Sequence, residues 1–326
     1  MTWSNKMDPS IVNFTHYDLD GVGASLAIRA AFPQSQILSI IPCAYGVGST
    51  NLNTRIDKFI SAGLYKKYNL IFVTDLSLCD DVYARLKDVD SPSTRIYYID
   101  HHLNENRPSI KSKNFMSVIS SENKASAALL TFNLLRSIIL KNNDIDISKV
   151  SRFIQIIDDY DRWVMSEPAS IPLNILFFHY GFWTFYARFC NFDLNLMQKE
   201  IDLVKHELKL IEQYKRQSLE NCYLIEPTNI VLVPHMKKYA NEVGDYIMKN
   251  GYDAVIMLVD QDDTSTRLSI RTSQRLSWRD DLDLGCFLQT LGGGGAKSVG
   301  GVICKTEELK DVVENIALYL DKMKEG

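Results

Sequence analysis

The sequence predicts an α/β protein: a doubly wound parallel-sheet domain, a long helical linker, and a smaller α/β domain. Three observations lead there. Short apolar runs alternate with helix-patterned stretches over residues 11–100. A long, charged helical stretch without a wide apolar face precedes Asn221. Strand-like runs then resume in a different arrangement. Strand–helix alternation at this spacing specifies parallel strands with helical crossovers. The implied boundaries are 1–191, 192–221 and 222–326.

In chain order, the first apolar runs read as strands at Ile11–His16, Gln36–Pro42, Asn69–Thr74 and Thr94–Ile99. Helical patterns at Val22–Phe32, Leu52–Ser61 and Asp80–Lys87 lie between them. Beyond Lys124 the period becomes that of a helix: Ala125–Leu140 is apolar, and Ser148–Tyr160 is amphipathic with Ser148 as N-cap. Ile171–Phe189 is rich in aromatics but is broken by His179, Gly181, Thr184 and Arg188, so it reads as buried helices. Phe192–Glu220 forms the linker helix, with Met197, Ile201, Val204, Leu208 and Ile211 at helical spacing. The last domain offers strands at Cys222–Ile225, Ile230–Pro234, Ala254–Val259 and Arg267–Arg271. Helices are expected at Glu242–Lys249, just before Gly292, and at Glu307–Lys322.

Composition narrows the function. The 326 residues are 46% hydrophobic and 23% charged, with a net charge of −4. A protein that coats long nucleic acid needs an excess of Lys and Arg, so long duplexes are not expected partners. A short anionic ligand in a local basic pocket remains compatible. The six cysteines form no CxxC pair and are expected as free thiols. The opening MTWSNKMDPS lacks an apolar signal core, and no run of about 18 apolar residues occurs. The expected setting is the cytoplasm, without membrane contact.

Four segments carry the chemistry: His16-Tyr17-Asp18-Leu19-Asp20-Gly21, Val73-Thr74-Asp75, Ile99-Asp100-His101-His102 and Ile157-Asp158-Asp159-Tyr160-Asp161. Three of them follow an expected strand directly. In an open parallel sheet, strand ends meet at one edge, where ligands bind. A lone strand-end Asp is ordinarily a helix cap. Several carboxylates at one edge repel one another unless something neutralises them. Two divalent cations would do so, and two cations about 3.5–4 Å apart are also what phosphate-ester hydrolysis uses. Histidines among the ligands shift the preference from Mg²⁺ toward Mn²⁺. In the fourth segment Asp158, Asp159 and Asp161 compete.

HxDxDG, an isolated strand-end Asp, DHH and a later helical Asp together resemble the motifs of the DHH phosphoesterase superfamily. The C-terminal segments Leu268–Thr272 and Leu291–Gly301 resemble its associated domain. The resemblance implies two Mn²⁺ ions, with Mg²⁺ as a substitute. It places His16 and Asp18 on one ion, Asp20 and His101 on the other, and Asp75 between them. It makes Asp100 the group that orients an imidazole, and His102 the donor or general acid at the phosphate. Among the fourth-segment acids it favours Asp159, four residues before an aromatic, over Asp161.

In the second domain, Gly293, Gly294 and Gly295 would let backbone N–H groups approach an anion, with Arg271 and Lys297 adding charge. The family pattern there is GGGHxxAAG, and Ala296 stands at its His position. That departure implies altered affinity or specificity rather than lost activity. FTHYDLDGVGAS and Asp159-Tyr160-Asp161-Arg162-Trp163 most resemble the nanoRNase B branch, which implies short single-stranded RNA oligonucleotides or dinucleotides as substrates, degraded from the 3′ end. Other branches imply a linear or cyclic dinucleotide phosphodiesterase, or a 3′-phosphoadenosine 5′-phosphate phosphatase. Ala296 also admits a nucleotide-binding protein that does not cleave. Trp163, Phe182 and Trp183 read as core aromatics, with base stacking as the alternative use.

Overall fold

The computed structural model describes residues 9–35, 37–44, 51–89, 91–102, 109–120, 124–142, 144–236, 238–261, 264–277 and 281–323. The chain divides into two units, Met1–Ile201 and Asp202–Gly326.

The first unit is built on five parallel strands: β1 (Ser10–His16), β2 (Ile37–Cys43), β3 (Leu70–Thr74), β4 (Arg95–Asp100) and β5 (Phe115–Ile119). Their order is β2-β1-β3-β4-β5. Pro42, which cannot donate to a ladder, sits in the edge strand β2. Between the strands lie α1 (Leu19–Ala31), α2 (Leu52–Ser61) and α3 (Asp80–Lys87). β3 is buried throughout and β1 at all but its two end residues, as strands covered by helices on both faces must be. β5 is absent from the sequence-based expectation. Its five residues, FMSVI, are too few to declare a period.

Three further helices complete the unit: α4 (Ala127–Ile139), α5 (Ile147–Asp161) and α6 (Ser170–Phe189). α1 is buried along nearly its whole length and packs against all three. Its small residues make this possible: a Cβ on Gly23 would lie 2.7 Å from Ile157 Cδ1 and 3.0 Å from Ala128 Cβ. α5 begins one residue before the expected Ser148, because Asp146 is the N-cap and accepts from the Ser148 amide at 2.9 Å. α6 is broken at Gly181, whose φ of 68° lies outside the helical region.

α7 (Gln198–Glu220) starts later than expected. Phe192 takes φ 57°, and the Asp193 carboxylate accepts from the Asn195 amide, so this stretch turns instead of winding. The second unit has a six-stranded sheet of order β10-β11-β9-β8-β7-β6. Its strands are β6 (Tyr223–Ile225), β7 (Ile230–Val233), β8 (Ala254–Gln261), β9 (Ser265–Thr272), β10 (Gly294–Gly295) and β11 (Val299–Lys305). Only β7 and β8 pair in parallel. The helices are α8 (Ala240–Lys249), α9 (Gln274–Ser277), α10 (Leu284–Thr290) and α11 (Leu309–Lys322). All six cysteines are thiols outside any disulfide. Among the described residues, no helix is long and apolar enough to cross a membrane.

The turn from β1 into α1 has no space to spare. A Cβ at Gly21 would stand 2.2 Å from the His16 carbonyl oxygen and 2.8 Å from Thr15 Oγ1. Backbone on one side and a buried hydroxyl on the other cannot give way. Gly21→Ala is therefore expected to cost about 1–3 kcal/mol of stability, read as a lowered thermal midpoint. An unchanged midpoint would contradict this account of the turn.

Candidate metal centre

With strand order β2-β1-β3-β4-β5, chain direction across the sheet reverses between β1 and β3. Ligands of open parallel sheets bind at such a switch point, outside the carboxyl ends of the strands. His16 ends β1, Asp75 follows β3, and Asp100-His101-His102 closes β4 there.

Three groups of three converge. His16, Asp18 and Asp75 offer ligand atoms within 4.8 Å of one another, as do Asp20, His101 and Asp161, and Asp75, His101 and His102. Asp75 links the groups: its Oδ2 lies 3.7 Å from His16 Nδ1 and its Oδ1 3.3 Å from His101 Nε2. The same His101 nitrogen is 3.5 Å from Asp161 Oδ2 and 3.7 Å from Asp20 Oδ2. A carboxylate between two ligand triads is what a bridged pair of cations needs.

Local structure explains each placement. Asp18 is the N-cap of α1: its Oδ1 accepts from the Gly21 amide at 2.8 Å, leaving Oδ2 for His16 Nδ1 at 2.6 Å. Asp20 reaches across to the start of α4, accepting from Ala127 N at 2.7 Å and Ala128 N at 2.9 Å. Beneath the site, Thr74 Oγ1 donates toward Asn13 Oδ1 at 3.1 Å and lies 2.8 Å from Thr15 Oγ1. Thr15 and Ser25 both donate to the Gly21 carbonyl at 3.0 Å. These buried hydroxyls fix the ends of β1 and β3 relative to the first turn of α1. Asp75 itself takes φ 59°, a left-handed conformation that costs a non-glycine residue about 1–3 kcal/mol and concentrates at functional sites.

Asp100 is buried and accepts from Tyr98 Oη at 3.0 Å, His101 N at 2.9 Å and His102 Nδ1 at 2.7 Å. It thus holds the His102 ring by one nitrogen, and a His102 nitrogen lies within 4.8 Å of ligand atoms of Asp75 and His101. The His102 side chain is 37% exposed, against 11% for His101. The more accessible imidazole is the one suited to meet a substrate.

The electrostatics mark the unsatisfied groups. Burial, reinforced by Asp18, Asp20 and Asp161, pushes the Asp75 carboxyl well above its ordinary value. Burial and the Asp20 charge do the same to Asp161. Asp20 is also raised by burial, which exceeds the opposing pull of His101. Asp18 goes the other way: burial opposes its charge, but His16 beside it wins and lowers its pKa. For His16, burial alone would lower the pKa, but Asp18 outweighs it and the value is raised. Asp75 Oδ2 and Asp161 Oδ2 are buried and accept no hydrogen bond. Such oxygens are costly unless something compensates them, and a hard divalent cation suits this mixture of carboxylates and imidazoles. The residues present therefore fit two such cations.

Asp159, the expected fourth-segment ligand, does not join the cluster. Its carboxylate accepts from Ser166 N at 2.9 Å, Ser166 Oγ at 2.6 Å, Glu167 N at 3.1 Å and Ser170 Oγ at 2.6 Å. It ties down the segment leading into α6, and Asp161 takes the place in the cluster. Residues two apart on a helix point about 200° from each other, so only one of these two acids can face the site. Asp158 is consumed elsewhere, accepting from Ser126 N at 2.7 Å and from the Arg162 guanidinium.

The second unit gives the glycine run a structural reason. Gly294 and Gly295 form β10 against Gly301 and Gly300 of β11. A Cβ on Gly293 would meet the Gly301 carbonyl at 2.3 Å, and one on Gly295 the Val299 carbonyl at 2.2 Å. Ala296 closes the hairpin, its amide donating to Val299 O at 2.7 Å. The Arg271 guanidinium donates to Asn241 Oδ1 at the start of α8. The Lys297 carbonyl accepts from Leu284 N at 3.0 Å, and its side chain is half-buried.

Residues 10–155 match the DHH family, N-terminal domain. The chain is 23% identical over 330 residues to oligoribonuclease NrnB of Bacillus subtilis (strain 168), covering 95% of this chain and 77% of that protein. Its fold resembles RecJ in complex with Mn²⁺ from Thermus thermophilus, with TM-score 0.57 and 12% identity over 97% of this chain and 52% of that one. It also resembles the pGpG-specific phosphodiesterase PggH from Vibrio cholrae, with TM-score 0.52 and 14% identity over 96% and 99% of the two chains.

Two sets of measurements follow. Asp161→Ala is expected to lose Mn²⁺ from titrations, whereas Asp159→Ala should keep the metal stoichiometry and lose about 1–3 kcal/mol of stability as its donors are orphaned. The reverse pattern would restore Asp159 to the site. For pH, carboxyls raised in the folded state hold protons that the unfolded chain releases, so they favour folding at low pH and lose that effect as pH rises. The metal-free protein should thus become less stable as pH climbs from about the ordinary 3.8 through the raised values of Asp20, Asp75 and Asp161. Asp18, Asp100 and Asp159, whose pKa values are lowered, have completed their contribution by then. Asp75→Asn should flatten that slope, raise the metal-free midpoint and abolish stabilisation by Mn²⁺. A slope of opposite sign would overturn the assignment of these groups.

Proposed function

We propose, for a chain whose residues 10–155 are a DHH family N-terminal domain, a divalent-metal-dependent phosphodiesterase. Its substrates are short single-stranded RNA oligonucleotides, degraded from the 3′ end to mononucleotides. The observation that carries this reading is the Asp75 carboxylate, buried without a hydrogen bond at Oδ2 between two ligand triads. His16 and Asp18 would hold one Mn²⁺, Asp20, His101 and Asp161 the other, and Asp75 both; Mg²⁺ would substitute less well. The cations would supply an activated water and charge relief on the phosphoryl oxygens.

The remaining steps belong to the chain's own side chains. Asp100 fixes the ring of His102 through Nδ1, so the other nitrogen would act on the phosphate or the leaving oxygen, donating a proton when the ring is an imidazolium. Arg271, Lys297 and the backbone around Gly293, Gly294 and Gly295 would grip a terminal group of the substrate. With Ala296 in the hairpin, that grip lacks an imidazole, which favours a looser hold than a histidine would give. A net charge of −4 suits substrates of a few nucleotides better than long strands. The names of the relatives support both short RNA and a linear dinucleotide, the second reading, as substrate classes.

The test is hydrolysis of labelled dinucleotide, trinucleotide and 24-mer RNA with Mn²⁺, Mg²⁺, Ca²⁺ or chelator. Mononucleotides should accumulate fastest with Mn²⁺, not at all with Ca²⁺ or chelator, and slowly from the 24-mer. Cleavage after exhaustive chelation would defeat the two-metal reading. Tight binding without cleavage would favour a nucleotide-binding protein. Equal rates on the 24-mer and trinucleotide would defeat the preference for short substrates.

A further inference from the structure

Tyr17 lies between two residues of the metal cluster, His16 and Asp18, one peptide step of about 3.8 Å from each. The residue is 51% exposed, yet its ring is tied in place. The ring centroid is 6.2 Å from Phe177 and 5.7 Å from Phe182, and the hydroxyl accepts from the Phe182 amide at 3.3 Å. That amide sits just after the break in α6, where Gly181 takes φ 68°. A Cβ on Gly181 would approach Tyr17 Oη to 3.3 Å, so the break and the tyrosine are fitted to each other. Trp183, 55% exposed, also packs on the buried Phe182, with ring centroids 5.3 Å apart.

Exposed tyrosines on a protein surface ordinarily sample several rotamers. This one is held at both ends, with a large part of its surface left to solvent. A fixed, solvent-facing aromatic ring gives up side-chain entropy in advance and is ready to receive a planar partner. The nucleobase is the planar group that a phosphodiester substrate carries one sugar away from its phosphate. Every base has a π face, so stacking of this kind accepts any sequence.

We infer that Tyr17 is the base-stacking residue for a nucleoside adjoining the phosphate held at the metal centre, a specificity-determining residue for nucleotidic phosphodiesters. The inference rests on the phosphodiesterase reading above. The anchoring at Phe182 and Gly181 sets the plane on which the base lies.

The experiment compares a diribonucleotide with two analogues, each lacking one base but keeping its ribose. Wild-type protein should hydrolyse one analogue with a raised KM. Tyr17→Ala should raise KM for the intact dinucleotide about 5- to 150-fold, leave KM for that analogue unchanged, and affect kcat little. Tyr17→Trp should restore KM, because stacking needs a ring and not the hydroxyl. Mn²⁺ stoichiometry should be the same in all three proteins. Should Tyr17→Ala lose metal, Tyr17→Leu carries the comparison, together with fluorescence of a 2-aminopurine dinucleotide bound in Ca²⁺. Wild type should quench that fluorescence and Tyr17→Leu should not. Wild-type hydrolysis with equal KM for intact and base-free substrates, or equal quenching by both proteins, would overturn the inference and leave the phosphodiesterase reading standing. Quenching by wild type without hydrolysis of any substrate would support the stacking surface and defeat the phosphodiesterase reading instead.

Discussion

The first unit is organised around a single electrostatic problem: too many carboxylates share one edge of a sheet. The amino end of α4 absorbs part of that charge. Ala127 N and Ala128 N donate to Asp20, Ser126 N donates to Asp158, and Leu129 N is met by the Ser126 hydroxyl. The amides that a helix leaves unpaired at its start are here all used, three of them on anions from other elements. A helix terminus stabilises an anion by about 0.3–1 kcal/mol, rising to about 2 when partly buried. A buried, uncompensated charge costs several kcal/mol. The terminus therefore settles Asp20 and Asp158 but leaves Asp75 and Asp161, whose buried Oδ2 atoms accept no hydrogen bond.

The elements bearing those acids must be rigid, because mutual repulsion would otherwise separate them. Asn13, Thr15, Ser25 and Thr74 supply the rigidity from inside the core. Their hydroxyls and amide bind one another and the Gly21 carbonyl. Placing them between β1, β3 and α1 fixes the distance between the His16 and Asp75 ends of two adjacent strands. Polar groups in a core are tolerated when every one has a partner. Here the partners also set the spacing at the sheet edge, which links an odd stretch of core composition directly to site geometry.

Much of this was legible in the sequence for a simple reason. Buried parallel strands read as apolar runs, and a charge at the end of such a run stands out against it. His16, Asp18, Asp20, Asp75, Asp100, His101 and His102 were all found that way, and the structure brings them together. The fourth segment was harder because its acids lie on a helix, where spacing and not strand position decides which face each presents. Asp158, Asp159 and Asp161 look alike in one dimension; their separate partners are Ser126 and Arg162, the Ser166–Ser170 turn, and His101. A helical wheel anchored on the buried Ile154 and Ile157 would have separated Asp159 from Asp161. β5 was missed for its brevity. The β10–β11 hairpin is absent from the expectation, which takes its glycines as an anion-binding loop, whereas close backbone approach between the strands explains them. Phe182 is core as expected, but Trp183, next to it, is exposed because adjacent helical residues point about 100° apart, and Trp163 is half-buried.

Asp20 has two employments that cannot be separated. One oxygen pair both faces the ligand cluster and caps a helix that packs on α1, so any loss of this carboxylate disturbs a tertiary joint along with the chemistry. In a drifting lineage that has given up the proposed hydrolysis, positions such as His102, whose proposed part lies in the reaction, are free to vary early. Asp20 would be retained long after activity is gone, kept by the fold alone. Its presence in a relative would then be evidence of shared architecture and not of a working enzyme, and the order in which the motif residues decay would record which of them the scaffold itself requires.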